Sequence, residues 1–141
     1  MLVNVSYKNE GLYKKIDKEI GKSYALKERI QMGGIGSPKL FITSSSIQIY
    51  NLLILDNNQD SCNIELRPKG ILVRFRSLLE TFALIIPYYK LALYKSRGQE
   101  YAIHIDDYYI KVAAKTKEIH DFMKKIINHK TEASPTIVDN L

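Results

Sequence analysis

Between Cys62 and Phe75 apolar residues fall on every second position, and from Ile119 to Ile127 they fall on every third or fourth. Cys62, Ile64 and Leu66 alternate with Asn63, Glu65 and Arg67; after Pro68-Lys69-Gly70, Ile71, Val73 and Phe75 alternate with Leu72, Arg74 and Arg76. Successive side chains of a strand point to opposite faces, so this period predicts a half-buried hairpin. Ile119, Phe122, Met123, Ile126 and Ile127 instead follow the helical period and predict one amphipathic helix over residues 116–129, with Thr116 as its cap. Lys117, Asp121, Lys124, Lys125 and Asn128 fall on its solvent side. A helix with so broad an apolar stripe must bury it against another element, and the sheet is the only large partner on offer.

The same period of two predicts strands over residues 81–86, 89–95, 100–106 and 108–113, separated by turn signals at Pro87-Tyr88, Ser96-Arg97-Gly98 and Asp106-Asp107. Pro87 cannot donate to a ladder and marks a corner. Residues 47–56 read as a longer strand, apolar on both faces at Leu52-Leu53-Ile54-Leu55. Upstream, Leu12, Ile16 and Ile20, then Leu26 and Ile30 after a break at Gly21, predict one or two helices packed on the sheet. Gly33-Gly34-Ile35-Gly36-Ser37-Pro38 reads as a hinge. Three parts follow: an N-terminal helical extension and hinge over 1–38, a β-rich body with its helix over 39–130, and a flexible tail over 131–141.

A chain of 141 residues with 45% apolar content has material for a single core. The net charge of +6 favours acidic partners, nucleic acid and anionic lipid included. Its excess is N-terminal: residues 1–40 hold eight Lys/Arg against four Asp/Glu, whereas 41–114 hold eight against seven. Cys62 is the only cysteine, which excludes an internal disulfide and a cysteine-based zinc site. No apolar run approaches the roughly 20 residues that cross a bilayer, and MLVNVSYKNE has no leader pattern, so a cytoplasmic protein is expected.

Catalysis needs a nucleophile, a base and an orienting group within reach of one another. His104, His120 and His129 are spread over a strand and the last helix without such companions, and the expectation is no enzyme, no cofactor and no metal. Asp106-Asp107 suits a tight turn better than a cation site, which needs further oxygen ligands. The glycines of 33–36 lack the Gly-Lys-Ser/Thr of a phosphate loop. One set of residues converges: Arg67, Arg74 and Arg76 share the outer phase of the hairpin, with Lys69 at its turn, as a candidate anion-binding face. Against that use, the hairpin places Glu65 opposite Arg74, where it neutralises it. Tyr94 and Tyr109 also take the outer phase and are the aromatics available for stacking.

About seven short antiparallel strands closed by one helix, with Ile85-Ile86-Pro87-Tyr88 at a mid-sheet corner and Tyr109-Ile110-Lys111-Val112 leading through Lys115-Thr116-Lys117-Glu118-Ile119 into the helix, form a pattern that resembles the bacterial pleckstrin-homology-like (PH-like) superfold. The resemblance spans residues 40–129. It implies a mainly β, α+β fold: a PH-like antiparallel barrel of about seven strands, closed by the C-terminal helix. The chain departs from the eukaryotic phosphoinositide binders of that superfold. It has Asn57-Asn58-Gln59-Asp60 where they carry a basic cluster, and no Trp in the helix. The expectation is a non-enzymatic binding or scaffold module that recognises a protein partner, or less directly an anionic surface. The alternative is a basic nucleic-acid-associated protein that uses the N-terminal lysines.

Overall fold

The computed structural model describes residues 1–55 and 60–133, which form eight strands and four α-helices: β1 (Leu2–Asn4), α1 (Glu10–Ile20), α2 (Leu26–Gln31), β2 (Leu40–Ser45), α3 (Ile47–Leu53), β3 (Ser61–Arg67), β4 (Gly70–Ser77), β5 (Glu80–Pro87), β6 (Ala92–Ser96), β7 (Glu100–Ile105), β8 (Tyr108–Ala113) and α4 (Lys117–Ala133). Residues 56–59, which include Asn57-Asn58-Gln59, and residues 134–141 lie outside the described residues. All strands join one antiparallel sheet in the order β1-β5-β4-β3-β2-β8-β7-β6. The sheet is open, since β1 and β6 are its edges, and this corrects the expected closed barrel. β2 sits between the two meanders: Leu40 and Phe41 pair with β3, and Ile42 to Ser45 pair with β8 across an irregularity between Ile42 and Ser44. Such a bulge lets one short strand serve two neighbours that its straight path would not reach.

The inner face carries the main core. Ile64, Leu66, Val73 and Phe75 from one half and Ile103, Ile110 and Val112 from the other belong to one buried cluster with Ile119, Phe122, Met123 and Ile126 of α4. The expected stripe of α4 is therefore buried, except Ile127, which is 41% exposed. Thr116 caps the helix, its Oγ1 accepting from the Ile119 N–H at 3.3 Å. The helix continues to Ala133, so the first three residues assigned to a loose tail are helical. Lys125 turns away from solvent to donate to the Met32 and Gly34 carbonyls at 2.6 and 2.8 Å.

Residues 47–53 are helical, not a strand. Apolar groups on both faces of a supposed strand are here the mark of a helical stripe: Ile49 and Leu53 are buried one turn apart, Leu52 packs beside them, and Ile47, Tyr50 and Ile54 face out. β6 begins at Ala92, because Tyr88–Lys90 form a single 3-10 turn after Pro87. Residues 2–4, assigned to a helical extension, add β1 to the edge of β5.

α1 covers the outer face of the β1–β5–β4 region. Ile16 and Ile20 bury against Leu72, Ala83 and Ile85, with Leu12, Val3 and Val5 around them, in a second, smaller core. Asn9 caps the helix by accepting from the Leu12 N–H at 3.0 Å, and Gly21, at φ +86°, ends it. α2 does not resume the stripe: Leu26 and Ile30 are 73% and 72% exposed, and the chain instead reaches the core through Tyr24, Met32 and Ile35. The expected hinge is held to β3. Leu66 N–H donates to Ile35 O and Ser37 N–H to Ile64 O, both at 2.8 Å, which satisfies β3 backbone groups where β2 does not run alongside.

Candidate binding surfaces

The four basic residues of the hairpin do not form one cluster. Pairing runs Cys62 with Phe75, Ile64 with Val73 and Leu66 with Ile71, and Arg67 with Gly70, so the turn is only Pro68-Lys69. Glu65 consequently lies opposite Leu72 rather than Arg74, and Asn63 takes the place opposite Arg74. The charge pairing survives diagonally: Arg74 Nη2 lies 3.7 Å from Glu65 Oε1. The Arg67 side chain is 12% exposed. Its Nε donates to the other Glu65 oxygen, and its Nη1 reaches Asp17 Oδ1 at 3.3 Å and Gly21 O at 2.9 Å. Arg67 thus fastens the hairpin to the end of α1. Lys69 is exposed at the turn, where its N–H donates to Ile20 O at 2.8 Å. Arg76 is exposed opposite Thr81. It lies seven positions on from Lys69, about 23 Å along β4, so the two do not grip one phosphate.

Arg74 and Arg76 instead meet Lys39 along a cleft of about 800 Å³, with Asn63, Ser61 and Thr81 supplying polar groups and Leu53, Leu78 and Leu79 an apolar rim. A second groove, of about 750 Å³, follows α1 and is lined by Tyr13, Asp17, Lys22, Arg67 and Arg74.

The outer face of β6–β8 has no helix packed on it among the described residues, and it carries a ladder of rings. Tyr94, His104 and Tyr109 come from three adjacent strands. The Tyr94–His104 centroids are 5.4 Å apart with planes at 19°, and the His104–Tyr109 centroids 5.3 Å apart with planes at 21°. Tyr94 Oη and His104 Nε2 lie 2.9 Å apart, in hydrogen-bond contact. Ala102 pairs with both Tyr94 and Lys111 across this face, and its small side chain is fully buried. Burial, with the Lys111 charge adding to it, pushes the His104 pKa below its ordinary value, which favours the neutral ring. Each ring was legible as outward-facing; the ladder was not, because only the register of three strands aligns them.

The other histidines lie apart from this ladder. His120 contacts the hydroxyl of buried Tyr101 through Nδ1 at 2.9 Å, a tie between α4 and β7 rather than a purely surface position. Asp106-Asp107 form the tight β7–β8 turn, Asp106 at φ +51° and 3.8 Å from Lys90. Cys62 is a buried free thiol, pushed up to about 12 by burial and thereby held as the unreactive thiol.

Fold and surfaces together define a β-rich α+β domain in which no described helix is long and apolar enough to cross a membrane. No family model matches the chain, and neither a curated protein nor a solved structure matches it.

Proposed function

We propose that the protein is a non-enzymatic binding module of PH-like type that works in the cytoplasm and docks a protein partner on the outer face of β6–β8. The PH-like reading is supported by the order of elements: seven antiparallel neighbours, β5-β4-β3-β2-β8-β7-β6, followed by one helix that packs on their inner face. The observation that carries the docking reading is the asymmetry of the outer face. α1 packs on one half, while the other leaves the Tyr94–His104–Tyr109 ladder without a helix over it among the described residues, Tyr94 exposed and the other two rings half-buried, and Tyr is a residue favoured at protein interfaces. The ladder suits a protein better than a nucleic acid. The His104 ring is already engaged by two tyrosines, and Lys111 is the one cation in the paired rows of this face.

The test compares wild type with Tyr94→Ser and Tyr109→Ser in affinity capture from the native cell, with circular dichroism to establish that both variants fold. A partner lost with both variants, and insensitive to added salt, supports the reading. Capture of nucleic acid that weakens steeply with salt, or partners unaffected by either variant, refutes it.

A further inference from the structure

The β4–β5 hairpin turns on Leu78 and Leu79, against the chemistry such turns require. A two-residue hairpin turn needs positive φ and takes Asn, Asp or Gly for that reason. Leu78 adopts φ +57° regardless, whereas the other non-glycine residues with positive φ among the described residues are the polar Gln99 and Asp106. No burial offsets this strain: Leu78 is 55% exposed and Leu79 90%. Ile54 and Leu55, just past α3, are 54% and 55% exposed, and Ser77 Oγ donates to Leu52 O at 2.5 Å, which fastens the end of α3 to the base of this hairpin. One end of the molecule therefore presents four aliphatic side chains to water.

Cations stand directly behind them. Arg76 and Arg74 lie on the same strand, two and four residues back from Leu78, or about 7 and 13 Å, and Lys39 shares their cleft with both leucines. Arg76 has no carboxylate partner among the described residues, while Arg74 is shared with Glu65. Two carboxylates are near: Asp60, which lines the cleft, and Glu80, at the hairpin base, which accepts from Asn4 Nδ2.

We propose that this end is a peripheral membrane contact: Leu78 and Leu79 enter the acyl boundary of an anionic bilayer, while Arg76, Arg74 and Lys39 meet lipid phosphates. The apolar residues sit on a projecting tip, a shape suited to insertion into a soft medium. The setback of the first arginine matches the 5–10 Å to which interfacial segments sink below the headgroups. The contact is separate from the aromatic face proposed for a protein partner and does not rest on it.

Sedimentation with vesicles of phosphatidylcholine, alone and mixed with phosphatidylserine, tests this. Wild type is expected to bind the mixed vesicles and to release with salt. The double variant Leu78→Gly/Leu79→Asn puts glycine at the position that carries the positive φ, so it keeps the fold, and it should bind about tenfold or more weakly. Arg76→Gln should weaken binding and flatten its salt dependence, whereas Tyr94→Ser should leave it unchanged. The chain has no Trp, so Leu79→Trp supplies a single indole whose emission should shift to the blue with mixed vesicles. Absence of binding to mixed vesicles, or binding that the turn variant leaves intact, overturns the proposal. So does vesicle binding by Leu79→Trp without a blue shift, which would mean surface attraction without insertion.

Discussion

The Arg67 guanidinium lies 3.3 Å from the Asp17 carboxylate, joining the β3–β4 hairpin to α1 across fifty residues of sequence. The same side chain holds Glu65 and the Gly21 carbonyl, so it closes the rim of the smaller core where Ile20 meets the hairpin turn. A residue that the sequence offers as an anion ligand is, in place, a clamp.

Arg67→Ala should accordingly destabilise the fold by roughly 1.5–3 kcal/mol, the range for hydrogen bonds to charged groups, with Asp17's partial exposure holding the loss toward the lower end. Arg76→Gln, on an exposed side chain without such partners, should change stability by no more than about 0.5 kcal/mol. Urea midpoints of the two variants decide the matter; similar values would show that Arg67 bears no special part of the packing.

Phe122 is 7% exposed and Lys124, two residues on, faces solvent. Phe122→Ala should cost about 3–5 kcal/mol, a large share of the roughly 5–15 kcal/mol that holds a domain. Lys124→Ala should cost less than about 0.5 kcal/mol. Thermal denaturation of both variants checks this, and equal small effects would mean that the α4 stripe is not core.

Gly70 opens β4 where the backbone of β5 passes too close for a side chain. A Cβ there would lie 2.3 Å from Ile86 O and 2.5 Å from Ile20 Cγ2. The first contact is with paired backbone near the end of β5 and cannot be relieved by a rotamer change. Gly70→Ala is expected to destabilise by about 1–3 kcal/mol and to loosen α1, since Ile20 is the other neighbour. Hydrogen exchange should show faster amides in α1; unchanged exchange would place the tight approach elsewhere.

His104 introduces a pH dependence whose sign follows from its depressed pKa. Burial, then Lys111, lowers it from the ordinary 6.5, so the unfolded chain takes up the proton first as pH falls. The stability contribution of the neutral ring is fully present above about pH 6.5 and is lost as pH drops through the folded-state value below it. His104→Phe keeps a stacked ring between Tyr94 and Tyr109 but does not titrate. Melting temperatures followed from neutral pH down to about pH 5 should fall less in the variant than in wild type. Parallel curves would exclude His104 as the source.

The candidate site was legible in its parts and not in its assembly. Alternation put Arg67, Arg74, Arg76, Tyr94, His104 and Tyr109 on outer faces, which a period of two can do by itself. It does not say what covers those faces. α1 lies over part of the β3–β5 outer surface and draws Arg67 into its edge, whereas nothing among the described residues lies over β6–β8. The Leu78-Leu79 tip carries none of the Gly, Asn or Asp that marks a turn in sequence; positive φ at Leu78 appears only with the backbone.

Local period alone determined the β3–β4 hairpin with its inward set, the strands from β5 to β8 within a few residues, the corner at Pro87 and the buried stripe of α4. Those follow from side-chain geometry within one element, where i+2 or i+4 suffices. The tertiary structure decided what depends on a neighbour. Residues 47–53 form a helix because Ile49 and Leu53 find the core together that way. Glu65 meets Arg74 diagonally because Gly70 pairs with Arg67 and shortens the turn. The hinge is pinned because β3 needs partners for its backbone. The sheet stays open because β1 joins β5 and β6 keeps one neighbour, so its two edges never meet.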